Sequence, residues 1–237
     1  MLLRTLPDLL ANPAEYLILL PILLGTVGGS LLIGITVHEF SHALIANALG
    51  DQTAKRLGRI SLNPLAHLDP AGTIMLLLVG FGWGKPVPIN SKALRNGRSD
   101  MAVVSLAGPA ANLMTAVVCA IPLRSGLLPL VPLYRPIFNL AGVTEFLGYF
   151  VGLLLFYNLI LAIFNLIPLA PLDGSKVAIG LLPTKLSYQF ARLEAYGPGL
   201  LMLIIFMDLF LGAGILSSIL FPMLDTLIVI LVGVHLF

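Results

Sequence analysis

The sequence predicts an all-α polytopic membrane protein, a single domain over residues 1–237, with about five to six transmembrane or re-entrant helices and short β segments near its polar centre. Two observations carry that class. Apolar residues make up 58% of the chain and charged residues only 10%, too little charge to clothe a water-soluble domain; mean hydropathy is +1.02. The apolar residues also fall in long runs parted by short basic loops, the pattern of membrane spans and their flanks. A net charge of +2 offers no nucleic-acid surface. Cys119 is the single cysteine and lies in an apolar run, so it can form neither an internal disulfide nor a thiolate cluster.

Residues 1–10 carry Arg4, Pro7 and Asp8 and read as an amphipathic lead-in rather than a cleaved signal peptide. Residues 16–49 are almost continuously apolar, too long for one upright span. They are expected to form one span bent near Pro21, Gly25, Gly28 and Gly29 and ended by a glycine cap at Gly50. Residues 59–62 alternate as a short strand would. Residues 71–83 are too few to cross and read as re-entrant. Residues 85–90, with Pro86 and Pro88, look like a second extended segment at a sheet edge.

Lys55, Arg56 and Arg59, then Lys92, Arg95 and Arg98, make two basic loops, which the positive-inside rule assigns to the cytoplasm. Residues 101–123 form a span, the proline-rich stretch 122–136 lies outside, and residues 143–166 return. Residues 176–194 read as a polar loop, although 175–182 is helix-like. Residues 199–221 and 223–237 make one long or two shorter apolar helices parted at Pro222. Trp83 and His235 read as interfacial; Asp208 and Asp225 stand out as acids in apolar helices.

Within the first run stands His38-Glu39-Phe40-Ser41-His42. Histidines four apart on a helix project from one face, one turn above the other, a spacing that suits a single zinc ion, and Glu39 beside them can take a proton from a water. The bland reading is a helix that happens to carry three polar side chains. Their cost at lipid depth argues against it, since ionisable groups there face a cavity or a partner. A catalytic zinc needs a third protein ligand. Asp173 follows an apolar span and is the first choice, with helix N-cap as its rival role. His67 and Asp69 compete as ligands, as supports behind the ligands, or as solvated loop residues.

Two motifs together, His38-Glu39-x-x-His42 in an apolar helix and Asn165-x-x-Pro168-x-x-Pro171-Leu172-Asp173-Gly174, resemble those of the site-2 proteases, intramembrane zinc metalloproteases. The segments 62–70, 81–90 and Gly108-Pro109-x-x-Asn112 are similar to the compact bacterial and archaeal branch. The resemblance implies one Zn2+ per chain on His38, His42 and Asp173, with Glu39 as general base. It implies a transmembrane protein or peptide as substrate, a lipid bilayer as surroundings and a prokaryotic cell membrane as location, with the active site nearer the cytoplasmic face. Inserted PDZ-type and appended CBS-type domains are not expected.

Asn165 and Asn112 are the amides that could donate to a developing oxyanion, His67 a further contact to substrate, and for Asn112 an interhelical hydrogen bond is an equal alternative. The 85–90 segment, through Val87, Pro88 and Ile89, is expected to pair with an unwound substrate as an added strand. An oligomer is compatible with all of this. The alternatives to a protease are a zinc-binding membrane scaffold without turnover and a metal transporter.

Overall fold

The computed structural model describes residues 21–22, 24–79, 82–133 and 140–234. The lead-in at 1–10, the first residues of the first run, Phe81 and His235 lie outside the described residues. A π-helical turn, Leu24–Gly28, leads into α1, Gly29–Ala48; after it come a single turn α2, Thr53–Arg56, and α3, Pro70–Val79. The long helices α4, Arg98–Arg124, and α5, Val143–Asn165, precede two short ones, α6, Asp173–Leu181, and α7, Thr184–Leu193. The chain closes with α8, Gly197–Leu211, and α9, Ile215–Val232. Among the described residues four helices are long and apolar enough to cross a membrane, counting the π turn with α1. They become five if α7 and α8, bent by 59° at their junction, make one broken span.

α1, α4 and α5 pack against one another, and small side chains let them approach: Gly34, Ala43 and Ala46 on α1, Gly108 and Ala116 on α4. One apolar cluster joins α4, α5 and α9 through Ala116, Ala120, Leu155, Leu159, Leu224 and Ile228, each pair four residues apart and so on one face of its helix. On the other flank, Leu201 and Ile205 of α8 pack on Leu172, supporting the loop between α5 and α6. α1 ends as expected: Gly50 takes φ 113° and its N–H returns to the Asn47 carbonyl while that of Asp51 returns to Ala46. α3 is only ten residues long, and the chain after it folds back so that Trp83 lies flush on Gly72.

The expected short β segments do not form. Among the described residues there is no strand, only one antiparallel bridge between Leu68 and Gly84. Pro86 and Pro88 have no N–H to give a ladder. The N–H groups around them are taken elsewhere, Lys85 by the His67 carbonyl at 2.8 Å, Val87 by the Glu39 carboxylate at 2.8 Å and Asn90 by the Asp51 carboxylate at 2.6 Å. Residues 59–62 are held by side chains instead, the His67 imidazole donating to the Ser61 carbonyl at 2.7 Å and Arg59 to that of Lys85 at 2.5 Å.

Two further expectations are corrected. The last apolar stretch divides at Gly212–Gly214, not at Pro222, which sits inside α9. Gly212 and Gly214 adopt positive φ of 63° and 68°, and Asp208 caps the start of α9 by accepting the N–H groups of Ile215 and Leu216, each at 2.7 Å. That capping role accounts for an acid in an apolar helix. The helix-like stretch 175–182 falls in α6 as expected, while the rest of the expected polar loop forms α7, where Leu186, Phe190 and Leu193 recur on one helical face.

Candidate metal centre

His38 and His42 lie on α1, ten and six residues before its end, so His38 is about 15 Å from the end of its helix at 1.5 Å per residue. Asp173 arrives from the other end of the chain. The buried loop residues Ala170 and Leu172 turn the backbone, the Ala170–Pro171 bond is cis, and Gly174 lies flush on the Leu166 and Ile167 carbonyls. Asp173 is the first residue of α6, and its N-cap is Leu172. Its carboxylate does not cap the helix. Oδ2 stands 3.0 Å from His38 Nε2 and 3.1 Å from His42 Nε2, and the two Nε2 atoms are 3.0 Å apart.

The protons on the two rings decide what that triangle can do. His42 Nδ1 lies 2.7 Å from the Val104 carbonyl, which only accepts, so Nδ1 carries the hydrogen. His38 Nδ1 lies 2.6 Å from the Asn112 side-chain oxygen and carries its hydrogen likewise. In the neutral rings both Nε2 atoms are therefore bare lone pairs, aimed with an Asp173 oxygen at one point. Asp173, a carboxylate ionised at neutral pH, has no proton to give either. Three electron-pair donors with no proton to share repel unless a cation sits among them. Their 3.0–3.1 Å spacing is close to the roughly 3.3 Å that tetrahedral bonds of about 2.0 Å to one zinc require.

The space beside the donors is kept open by α4. A Cβ on Gly108 would stand 2.7 Å from His38 Nε2 and would meet His42 Nε2 as well. Glycine there leaves a cradle for an ion where any side chain would fill it. The donor set fits zinc, two nitrogens and one oxygen with room for a fourth ligand. Among the described residues this is the group of three that could hold a metal.

Glu39 is half-buried and its Oε2 accepts the Val87 N–H, so one carboxylate oxygen is fixed and the other is left for a water. The remaining candidates make their hydrogen bonds elsewhere than at the three donor atoms. Asn112 is completely buried behind His38, its NH2 donating to the Gly34 carbonyl at 2.9 Å. Asn165, at the end of α5, donates to the Leu161 carbonyl of its own helix at 2.9 Å. His67 is only 1% exposed, not the solvated residue its loop suggested. Asp69 caps α3 by accepting the Gly72 N–H at 2.8 Å. Gly108 is the residue that sequence reasoning read too weakly; a Gly-Pro in an apolar helix signals close approach but not to what.

Comparison with known proteins agrees with this chemistry. The chain is 38% identical over 196 residues, 83% of its length and 84% of the relative's, to the "Putative zinc metalloprotease YwhC" of Bacillus subtilis (strain 168). It is 30% identical over 149 residues, 60% of its length and 52% of the relative's, to Rip2 of Mycolicibacterium smegmatis, which carries the same description. Rip2 of Mycobacterium tuberculosis matches at 30% over 151 residues, with the same two shares. No family model and no solved structure matches.

Proposed function

The chain belongs to the site-2 protease family of zinc metalloproteases, and from that premise we propose that it is an intramembrane endopeptidase that cleaves the transmembrane segments of membrane-anchored proteins. The carrying observation is the triangle of bare donors that Asp173 of α6 completes with His38 and His42, the two histidines standing on a helix that has the length and hydropathy of a span. His38, His42 and Asp173 would hold the zinc. When bound there, zinc makes a water acidic and polarises the scissile carbonyl.

The chain's own groups do the rest. Glu39, held at Oε2 by Val87, takes the proton of the attacking water on its other oxygen and delivers it to the leaving amine. Asn165 is near enough in sequence to Asp173 to reach a substrate carbonyl if it releases Leu161. The 85–90 segment receives the unwound substrate, but as a sparse edge: Pro86 and Pro88 have no N–H and those of Lys85, Val87 and Asn90 are occupied, which leaves the Ile89 N–H and the carbonyls between Lys85 and Asn90. The active site opens toward the cytoplasmic face, where the basic loops lie.

Glu39→Gln tests this reading. The variant is expected to keep one zinc per chain by metal analysis and to lose about a thousand-fold in cleavage of a membrane-anchored reporter. Retained cleavage rules out Glu39 as the base. A wild-type chain that binds zinc and cleaves no membrane-anchored reporter would favour the non-catalytic scaffold.

A further inference from the structure

We propose that Asn158, a residue of α5 that touches none of the three donors, is a positioning residue that sets the tautomer of His38 through Asn112 and so tightens metal binding. The inference rests on the zinc reading of the site given above. Asn158 and Asn112 are both completely buried, on α5 and α4, in the seam those helices share with α1. At such a position a side-chain amide costs several kcal/mol unless its hydrogen bonds are made.

The sense of each bond follows from the two backbone carbonyls at the ends of the chain of contacts. The Leu154 carbonyl can only accept, so the Asn158 NH2 faces it, at 2.8 Å, and the Asn158 oxygen points the other way. That oxygen lies 2.8 Å from the Asn112 nitrogen and must accept from it. The Gly34 carbonyl, 2.9 Å from the same nitrogen, takes its second hydrogen. With both hydrogens placed, the Asn112 oxygen faces His38 Nδ1 at 2.6 Å, and that ring nitrogen has to donate. The proton is thereby kept off His38 Nε2, the atom that faces Asp173 and His42. A flipped Asn112 would set its oxygen against two acceptors at once. Gly34 has no room to move away, since a Cβ there would stand 2.8 Å from Leu161 and 3.5 Å from the Asn158 nitrogen. Three helices are thus tied to one tautomer by a line of amides that ends on backbone.

The test uses the full chain in detergent or lipid nanodiscs and reads metal and tautomer, not turnover. Asn158→Leu keeps the shape and removes the acceptor. It is expected to weaken zinc or cobalt binding about ten-fold in competition with a chelator, the lower end for residues behind a metal ligand. It is also expected to raise the Nε2–H fraction of His38 in the metal-free protein, read by 15N chemical shifts. Asn158→Asp, kept neutral by its burial, has a carbonyl for Asn112 and a hydroxyl for Leu154, and should restore affinity to within about three-fold. Asn158→Ser is too short to reach Asn112 and carries the same expectation as leucine, so failure of one variant to fold leaves the other decisive. A merely structural Asn158 would lower thermal stability and leave the metal affinity and the ring shifts unchanged, which overturns the proposal. A wild-type chain that binds no zinc would instead overturn the metal reading on which it rests.

Discussion

A single hydrogen atom at Gly108 separates a metal site from a filled one. α4 crosses the two imidazoles so closely that a methyl group would stand 2.7 Å from His38 Nε2, inside any contact that carbon and nitrogen tolerate. Gly108→Ala should leave the helix intact, alanine being the better helix former by about 1 kcal/mol. Its zinc content is expected to fall well below one per chain by atomic absorption; full occupancy would show that the ion does not sit in that cradle. The same scale explains Asp173. It stands one residue inside the N-cap Leu172, and its carboxylate faces the two imidazoles instead of the N–H groups of its own helix.

Among the elements, the 85–90 segment holds its place without a sheet, and Asp51 is the anchor. That fully buried carboxylate accepts the Thr53 N–H at 2.9 Å, the Thr53 hydroxyl at 2.5 Å and the Asn90 N–H at 2.6 Å, joining the end of α1 to the end of the segment. Burial works to raise its pKa, and these bonds with the nearby Arg56 outweigh it and lower it. The resulting stabilisation is present in full above the unfolded carboxylate pKa of about 3.9 and is lost as pH falls through the lower folded value. Asp51→Ala strands three donors and is expected to cost about 3 kcal/mol in a denaturant melt. Because Val87, which steadies Glu39, lies on the same segment, cleavage should fall while bound zinc stays. An unchanged melt would mean that the segment is held by its packing on Ala43 and Ala54 alone.

At the scale of the whole molecule the question is which way the bundle sits. The loops at 51–59 and 92–98 carry six basic side chains between them, and the linker after α4 carries few, so the positive-inside rule predicts that the former face the cytoplasm. In a Cys119→Ser background, Lys92→Cys should react with a membrane-impermeant maleimide only after the cell is permeabilised, and Leu127→Cys, at an exposed position after α4, from outside without it. The reverse pattern would put the metal centre nearer the other face. Depth matters for the chemistry too. Irregular backbone such as 166–172 is buried where it approaches the imidazoles, Leu172 by α8 and Ala170 against Gly197.

Residue order alone determined the class, most of the helical spans and the paired histidines, and ranked Asp173 first among their candidate partners, because each depends on local periodicity or on the cost of a charge in an apolar run. The glycine cap of α1 and the shortness of α3 were legible for the same reason. Tertiary structure alone decided the rest. Whether Asn112 serves a substrate or stands behind a ring depends on which acceptors face its amide, and those come from residues 34 and 158. Whether Pro222 or the Gly212–Gly214 pair breaks the last stretch depends on Asp208 capping across the turn, and whether 85–90 joins a sheet depends on carboxylates at 39 and 51. Hydrogen bonds have direction, and a sequence names the groups that can make them without saying which will meet.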